Sequence, residues 1–154
     1  MRVLITGGAG FIGSHLADRL LARGDDVLVI DNLATGRVAN LAESSRLTFI
    51  EGTIADANVV NEAFASFQPD HVVHAAASYK DPDDWVEDTR TNVQGTVNVV
   101  DAAKAANLGR FIYFQTALCY GGQPLEQPIT LEHPIRPESS YAISKTAGEQ
   151  YIAL

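Results

Sequence analysis

The sequence predicts an α/β fold, a doubly wound parallel sheet flanked by helices. Short apolar runs alternate with helical patterns along the whole chain, as repeated strand–helix–strand crossovers require. The first run, Arg2-Val3-Leu4-Ile5, passes directly into the glycine-rich stretch Thr6-Gly7-Gly8-Ala9-Gly10-Phe11-Ile12-Gly13 and then into a helical pattern from Ser14 to Arg23. The next, Asp26-Val27-Leu28-Val29-Ile30, is almost continuously apolar, as a strand covered on both faces is.

Gly8, Gly10 and Gly13 satisfy G-x-G-x-x-G, and Gly7, Gly10 and Gly13 satisfy G-x-x-G-x-x-G. A strand before this spacing and a helix after it form the context in which it binds a dinucleotide. Gly7 or Gly8 turns the chain sharply after the strand. Gly10 lacks a Cβ and lets a pyrophosphate approach the main chain, and Gly13 lets the helix pack on the strand. Phe11 and Ile12 stand in the same turn. The free N–H groups and the positive end of the helix dipole would meet the phosphates.

The remaining elements follow in order. The first helix places Ile12, Leu16 and Leu20 on one face and stops at Gly24, a plausible C-cap. The second strand ends at Asp31, 18 residues after Gly13. A carboxylate there accepts hydrogen bonds from both hydroxyls of an adenosine ribose and repels a 2′-phosphate, which favours NAD over NADP. Asn32 follows it, and Arg37 is the nearby group able to serve a 2′-phosphate. Leu47-Thr48-Phe49-Ile50 is a third strand, followed by Glu51-Gly52-Thr53-Ile54-Ala55-Asp56 and a helix through Val59, Val60, Ala63 and Phe64. Pro69-Asp70 turns the chain into a fourth strand, His71-Val72-Val73-His74-Ala75. The run Ala75-Ala76-Ala77 either leaves room for a flat ring beside the backbone or simply packs. Lys80 after it is either a site group or a solvated loop lysine. Asp81 to Asn107 reads as mostly helical, with Pro82, Asp83, Asp84 and Glu87 at its start. Val93, Val97, Val100 and Lys104 mark one face, with Thr96, Val99 and Ala103 beside it. Gly95 in its middle costs about 1 kcal/mol of helix propensity and marks a close contact or a bend. Arg110 to Gln115 is a fifth strand ending at Thr116. A polar loop with Pro124, Pro128, Pro134 and Pro137 leads to a last helix, Ala142 to Leu154, capped by Ser139 or Ser140.

Composition excludes several functions. The chain of 154 residues holds one ordinary domain core, and 46% apolar with 8% aromatic residues argues against disorder. A net charge of −8, from 11 basic and 19 acidic residues, argues against a nucleic-acid surface. There is no apolar run that would span a membrane. The chain enters its first strand at once, leaving no room for a signal peptide. The single cysteine, Cys119, precludes an internal disulfide and fits a reducing cytoplasm. No metal is expected.

Tyr141 and Lys145 are spaced i, i+4 and share a face of the last helix. A free phenol titrates near pH ~10 and is a poor base at neutral pH. A neighbouring ammonium would lower that pKa, and the tuned tyrosine then moves a proton on and off a sugar or alcohol hydroxyl. Lysine can also hold the ribose of a nicotinamide. With the glycine turn upstream and a strand ending in the hydroxyl of Thr116, the pair reads as a proton-transfer site.

The chain resembles the first half of an extended short-chain dehydrogenase/reductase of the nucleotide-sugar epimerase and dehydratase group, UDP-glucose 4-epimerase-like. The residues that carry the resemblance are Thr6 to Leu16, Asp31-Asn32-Leu33, His74-Ala75-Ala76-Ala77, Asn92-Val93-Gln94-Gly95-Thr96, Thr116-Ala117-Leu118-Cys119-Tyr120-Gly121 and Tyr141-Ala142-Ile143-Ser144-Lys145. They run in the family's order and cover nearly the whole chain. The resemblance implies a Rossmann-type NAD-binding domain over residues 1–154, ending after the Tyr-x-x-x-Lys helix. Asp31 would hold the adenosine ribose, Asp56 would approach the adenine, Asn32 and Ile54 would also touch the cofactor, and Ala75, Ala76 and Ala77 would run past it. Asn92 would shape the helix behind the site. Thr116 would replace the usual catalytic serine, still offering a hydroxyl. Tyr141 would be the acid and base and Lys145 its partner.

The dehydratases of this group carry an Asp-Glu pair where Leu118 and Cys119 stand here, so epimerisation is the expected reaction. Tyr141 would remove a hydroxyl proton at C4 of a UDP- or TDP-linked sugar while NAD takes hydride, and the hydride would return to the other face. Cys119 is read as a buried filler. A homodimer through the Asn92 and Tyr141 helices is implied. Relatives continue with further strands and a substrate-binding carboxy-terminal domain that this sequence lacks, leaving the fifth strand as an open edge. An epimerase half and an NAD-binding module without turnover are the two expectations, with a dehydratase or ketoreductase of the same fold as a third.

Overall fold

Successive strand residues point to opposite faces of a sheet, and here both faces are apolar. Leu4, Leu28, Ile30 and Val72 turn to one side and pack with Ile54, Val60, Ala63, Phe64, Val99 and Ala102. Val3, Ile5, Val27, Val29 and Val73 turn to the other and pack with Ala17 and Leu20. In the computed structural model, which describes residues 1–154, the strands between these two cores are β1 (Arg2–Thr6), β2 (Asp26–Asp31), β3 (Leu47–Glu51), β4 (His71–His74) and β5 (Arg110–Tyr113). Their order is β3-β2-β1-β4-β5, and every pairing is parallel. This is the doubly wound sheet that the sequence predicts. The chain winds outward from β1 to β3 and then returns to the far side of β1. The strand order therefore reverses between β1 and β4, where a crevice opens beyond their carboxyl ends. Thr6 pairs with both Ile30 and His74, so the three central strands finish level beneath that crevice.

The helices are α1 (Phe11–Ala22), α2 (Ala57–Phe67), α3 (Trp85–Asp88), α4 (Thr96–Ala105) and α5 (Ser140–Ile152). None of them is long and apolar enough to cross a membrane. α1 ends at Ala22 with Arg23 as its C-cap, and Gly24, with φ of +90°, takes the position after the cap. Its buried side is Gly13, Ser14, Ala17 and Leu20 rather than the expected Ile12, Leu16 and Leu20. The first turn of α1 rises into the crevice and leaves Phe11 and Ile12 exposed. Ser139 is the cap of α5, its hydroxyl accepting the Ala142 N–H at 3.2 Å.

The long helix expected from Asp81 to Asn107 is not uniform. Residues 81–84 form turns, and Asp84 caps α3 by accepting the Glu87 N–H at 3.0 Å. Between α3 and α4 the helix widens into a π-turn, Thr89–Gly95. A π-turn spends an extra residue, so a stripe counted at the ordinary helical period slips out of register across it. The buried residues are Thr91, Asn92, Thr96, Val99 and Ala102, while Val93, Val97 and Val100 stay half-buried. Gly95 marks both a distortion and a close contact: a Cβ there would lie 2.6 Å from Ile54 Cγ1.

Gly95→Ala is expected to lower stability by roughly 1–3 kcal/mol, despite better helix propensity, because Ile54 must move. Urea titration checks it, and adding Ile54→Val should recover part of the loss. An unchanged midpoint for Gly95→Ala would show that the contact costs nothing to relieve.

Candidate active site

A cavity of about 820 Å³ occupies the crevice, at the upper end of the range of ligand sites. One wall is the turn between β1 and α1. Gly7 holds φ at +71° and comes so close to β4 that a Cβ would lie 2.7 Å from Ala76 N and Cα. Gly7 is therefore the residue that makes the sharp turn. At Gly13 a Cβ would strike the Gly7 carbonyl, so this glycine lets α1 start directly over the turn. Gly10 meets only the Gly7 oxygen, at 3.3 Å, and its open side faces the cavity with Phe11, Ile12 and Gly13. α1 has no side-chain cap and no acidic residue in its first turn. Its first N–H groups and its positive dipole end are thus available to an anion.

Asp31 closes the same end. Its carboxylate accepts the Ala9 N–H at 2.9 Å and the Leu33 N–H at 2.8 Å. Each oxygen keeps a lone pair for a further donor. Asn32 and Ile54 line the cavity beside it. Asp56 does not: its side chain accepts the Asn58 N–H at 2.9 Å and caps α2, so Gly52, Thr53 and Ile54 form that part of the lining. The backbone of Ala75, Ala76 and Ala77 runs along the middle of the cavity.

Tyr141 and Lys145 line the opposite end, with Tyr79, Tyr113 and Gln115. The Tyr141 ring meets Tyr79 edge-on at 6.4 Å. Burial pushes the Tyr141 phenol above its ordinary pKa, a hydrogen bond with Thr116 pulls it back, and the charges of Asp88 and Tyr79 add to the rise. The expected lowering by Lys145 is not seen, because the Lys145 ammonium sits elsewhere, 3.9 Å from the centroid of the Tyr113 ring. Burial brings Lys145 down to about 8, against the opposing pull of Glu149. Thr116 itself stays outside the lining. Its hydroxyl accepts the Leu118 N–H at 3.2 Å and starts the short 3-10 turn Ala117–Tyr120. Gln115 secures this corner by accepting the Thr116 N–H at 2.8 Å and donating to Glu149 at 2.6 Å.

Asn92 lies behind the wall. Its amide accepts the Ser78 N–H at 2.8 Å and donates to the Ser78 carbonyl at 2.9 Å and to Ser144 Oγ at 3.0 Å. It ties the segment after the alanine run to α5. Beneath it runs a buried hydrogen-bonded chain through His74. The Thr96 hydroxyl donates its one proton to the Asn92 carbonyl at 2.6 Å. It must therefore accept from His74 Nε2–H, 2.9 Å away. Nδ1 is then bare and accepts the Thr6 hydroxyl at 2.6 Å. The Thr6 oxygen in turn accepts the Ala76 N–H at 3.2 Å. This tautomer follows from counting protons. Sequence reading passes over His74, Tyr113, Gln115 and Ser144, since their partners are distant in sequence. The one local signal is a histidine directly after the apolar pair Val72-Val73.

Residues 3–153 match the model of the NAD dependent epimerase/dehydratase family. The chain is similar to the UDP-glucose 4-epimerase of Mycolicibacterium smegmatis, 39% identical over 158 residues, covering 99% of this chain and 50% of the relative. It is similar in structure to the Bordetella bronchiseptica enzyme WbmH in complex with NAD+, with a TM-score of 0.95 and 59% identity over 99% of this chain and 51% of that one. The Bordetella bronchiseptica enzyme WbmG in complex with NAD and UDP gives a TM-score of 0.96 and 53% identity over 100% of this chain and 49% of that one. The chain spans about half the length of the curated relatives it matches.

Burial first, and the charge of Lys145 second, push the His74 imidazole down to about 3. In an unfolded chain it takes up its proton near pH ~6.5. Below that value the unfolded chain holds a proton that the native chain refuses, so stability falls as pH drops, by up to ~1.4 kcal/mol per unit, until about pH 3. Asp25 and Asp70, with carboxyls held below 3.8 by their hydrogen bonds to the N-terminal ammonium and to the Arg2 N–H, lose their contribution only in stronger acid. Urea midpoints should therefore fall between about pH 6.5 and pH 5, and His74→Gln should flatten that slope while lowering stability at neutral pH. Equal slopes in both chains would contradict the neutral histidine.

Proposed function

The chain belongs to the NAD dependent epimerase/dehydratase family, and from that premise we propose that it is the cofactor-binding and proton-transfer half of an NAD-dependent nucleotide-sugar epimerase. What supports the reading is a single cavity with a phosphate cradle and Asp31 at one end and Tyr141 and Lys145 at the other, with Thr116 outside the lining beside Tyr141. Residues 1–154 form the NAD-binding domain. The sugar-gripping half of the relatives has no counterpart within these residues.

The residues fit NAD. Gly7, Gly10 and Gly13 leave the main chain bare where a pyrophosphate would lie, and the N–H groups of Phe11 and Ile12 face it. Asp31 has lone pairs to spare for the adenosine ribose, and its charge disfavours a 2′-phosphate. Ile54 flanks the adenine, and Ala75 to Ala77 pass the middle of the cofactor. Lys145 holds the nicotinamide ribose. NAD, when bound, supplies the acceptor and later the donor of a hydride at C4 of the sugar. Tyr141 takes the C4 hydroxyl proton and gives it back, with the nearby Thr116 hydroxyl opposing the rise of the phenol pKa. The raised phenol pKa keeps Tyr141 protonated at rest, and a positive charge brought into the cavity beside it would lower that pKa and favour its action as a base. Leu118 and Cys119 offer no acid for loss of water. Burial raises the Cys119 thiol and leaves it inert.

A UDP- or TDP-linked sugar is the substrate class. A homodimer through the helical segment that carries Asn92, with α4 continuing it, and through α5 fits the half-buried stripe Val93, Val97 and Val100 and the exposed Ile143 and Tyr151. The half-length of the chain favours a second reading, an NAD-binding module without turnover of its own.

Incubated with UDP-glucose or UDP-galactose and no added reductant, the chain should interconvert them, read by chromatography. Tyr141→Phe should lower that rate by two or more orders of magnitude while NAD affinity stays within a few-fold. A 4-keto-6-deoxy product would make it a dehydratase. Bound NAD with no product would make it a module. A tenfold or greater loss of NAD affinity in Tyr141→Phe would contradict the role given to that residue.

A further inference from the structure

A buried ammonium needs a partner, and Lys145 is only 2% exposed. No carboxylate stands within ion-pairing distance of its Nζ. Glu149, one turn further along α5, is occupied by the Gln115 amide at 2.6 Å. What Nζ does meet is the face of Tyr113, at 3.9 Å from the ring centroid. The same tyrosine also reaches the lysine's main chain, its hydroxyl donating to the Lys145 carbonyl at 2.9 Å. One residue of β5 therefore holds both ends of one residue of α5.

We propose that Tyr113 is a positioning residue for Lys145, its ring face seating the ammonium and its hydroxyl fixing the helical turn from which that side chain springs. This rests on the reading of Lys145 as the lysine of the cofactor site. The sheet sets the seat: Tyr113 lies in register with His74, and their rings stand 5.5 Å apart. His74 is neutral, so the ring has one cation to serve and not two. Tyr113 stays a neutral phenol, since burial raises its pKa, and so keeps the proton that it donates to α5. A desolvated cation over an aromatic face is held more strongly than an exposed one. α5 can lie this close because residue 148 is glycine, where a Cβ would come within 2.9 Å of the Tyr113 hydroxyl oxygen.

The titratable groups around Nζ are His74 on β4, Tyr113 on β5, and Tyr141 and Glu149 on α5, with Asp88 on α3 beyond Tyr141. Of these, only the ring face of Tyr113 responds to fluorination at position 113. The chain has three lysines, Lys80, Lys104 and Lys145, so carbon NMR of the lysine-labelled protein resolves each titration, with Lys145→Met giving the assignment. Tyr113 is replaced by Phe and then by phenylalanines bearing one, two and three ring fluorines, which drain the negative face with little change of shape. The Lys145 midpoint should fall stepwise, by about half a pH unit or more in total, while Lys80 and Lys104 stay fixed. A flat series would overturn the seat. In Tyr113→Phe the Glu149 amide, which also donates to the Lys145 carbonyl in the helix, should exchange several-fold faster. An unchanged rate would overturn the role of the hydroxyl. Neither readout needs NAD or turnover, so both stand apart from the epimerase reading.

Discussion

A neutral histidine between two threonines holds the site together. His74 ends β4 inside the protein and spends both ring nitrogens on hydroxyls, Thr6 of β1 on one side and Thr96 of α4 on the other. Thr6 also receives the Ala76 N–H, and Thr96 passes its proton to the carbonyl of Asn92. That carbonyl stands in the π-turn, where the helical ladder is displaced and a carbonyl is free to take a side-chain donor. The glycine turn, the alanine run and the helix behind α5 are thus joined by one directional chain. A proton added to His74 would break it, because Nδ1 would change from acceptor to donor.

The electrostatics of the site follow from the same burial. The cavity's cofactor end is built from backbone N–H groups and a carboxylate already fixed by two of them. Its other end holds a phenol made more reluctant to ionise and an ammonium made less basic, both chiefly by burial. Burial disfavours the charged form of both, so the phenol is held neutral while the ammonium is brought closer to giving up its proton. The helix that supplies them, α5, makes its close approach at Gly148, where a Cβ would lie 2.9 Å from the Asn92 carbonyl oxygen and from the Tyr113 hydroxyl oxygen. Packing and chemistry meet there: the glycine that lets α5 approach β5 also lets Lys145 reach its seat on Tyr113.

The cofactor end was legible in the sequence because its logic is local. A strand, three spaced glycines and an acidic residue at the next strand's end describe one contiguous supersecondary unit. The five strands along the chain and the i, i+4 pair on the last helix were legible for the same reason. Contacts between distant segments were not. Nothing near Tyr113 announces that it lies under Lys145, 32 residues on, and nothing near His74 announces Thr6, 68 residues back. The Asp81–Asn107 segment was legible as mostly helical with a contact or bend at Gly95, but its buried stripe was not, because a π-turn has no sequence period of its own. Asp56 caps α2 with one carboxylate oxygen and lies outside the cavity lining, a placement that the family pattern alone does not indicate.

The central claim is that these 154 residues by themselves build a site for NAD. Its most direct test is to denature the purified chain, then identify and count the nucleotide it releases by chromatography. The geometry predicts close to a full equivalent of NAD per chain and no NADP, since Asp31 faces the ribose end. A chain that releases nothing and then takes up neither NAD nor NADP from solution would contradict it.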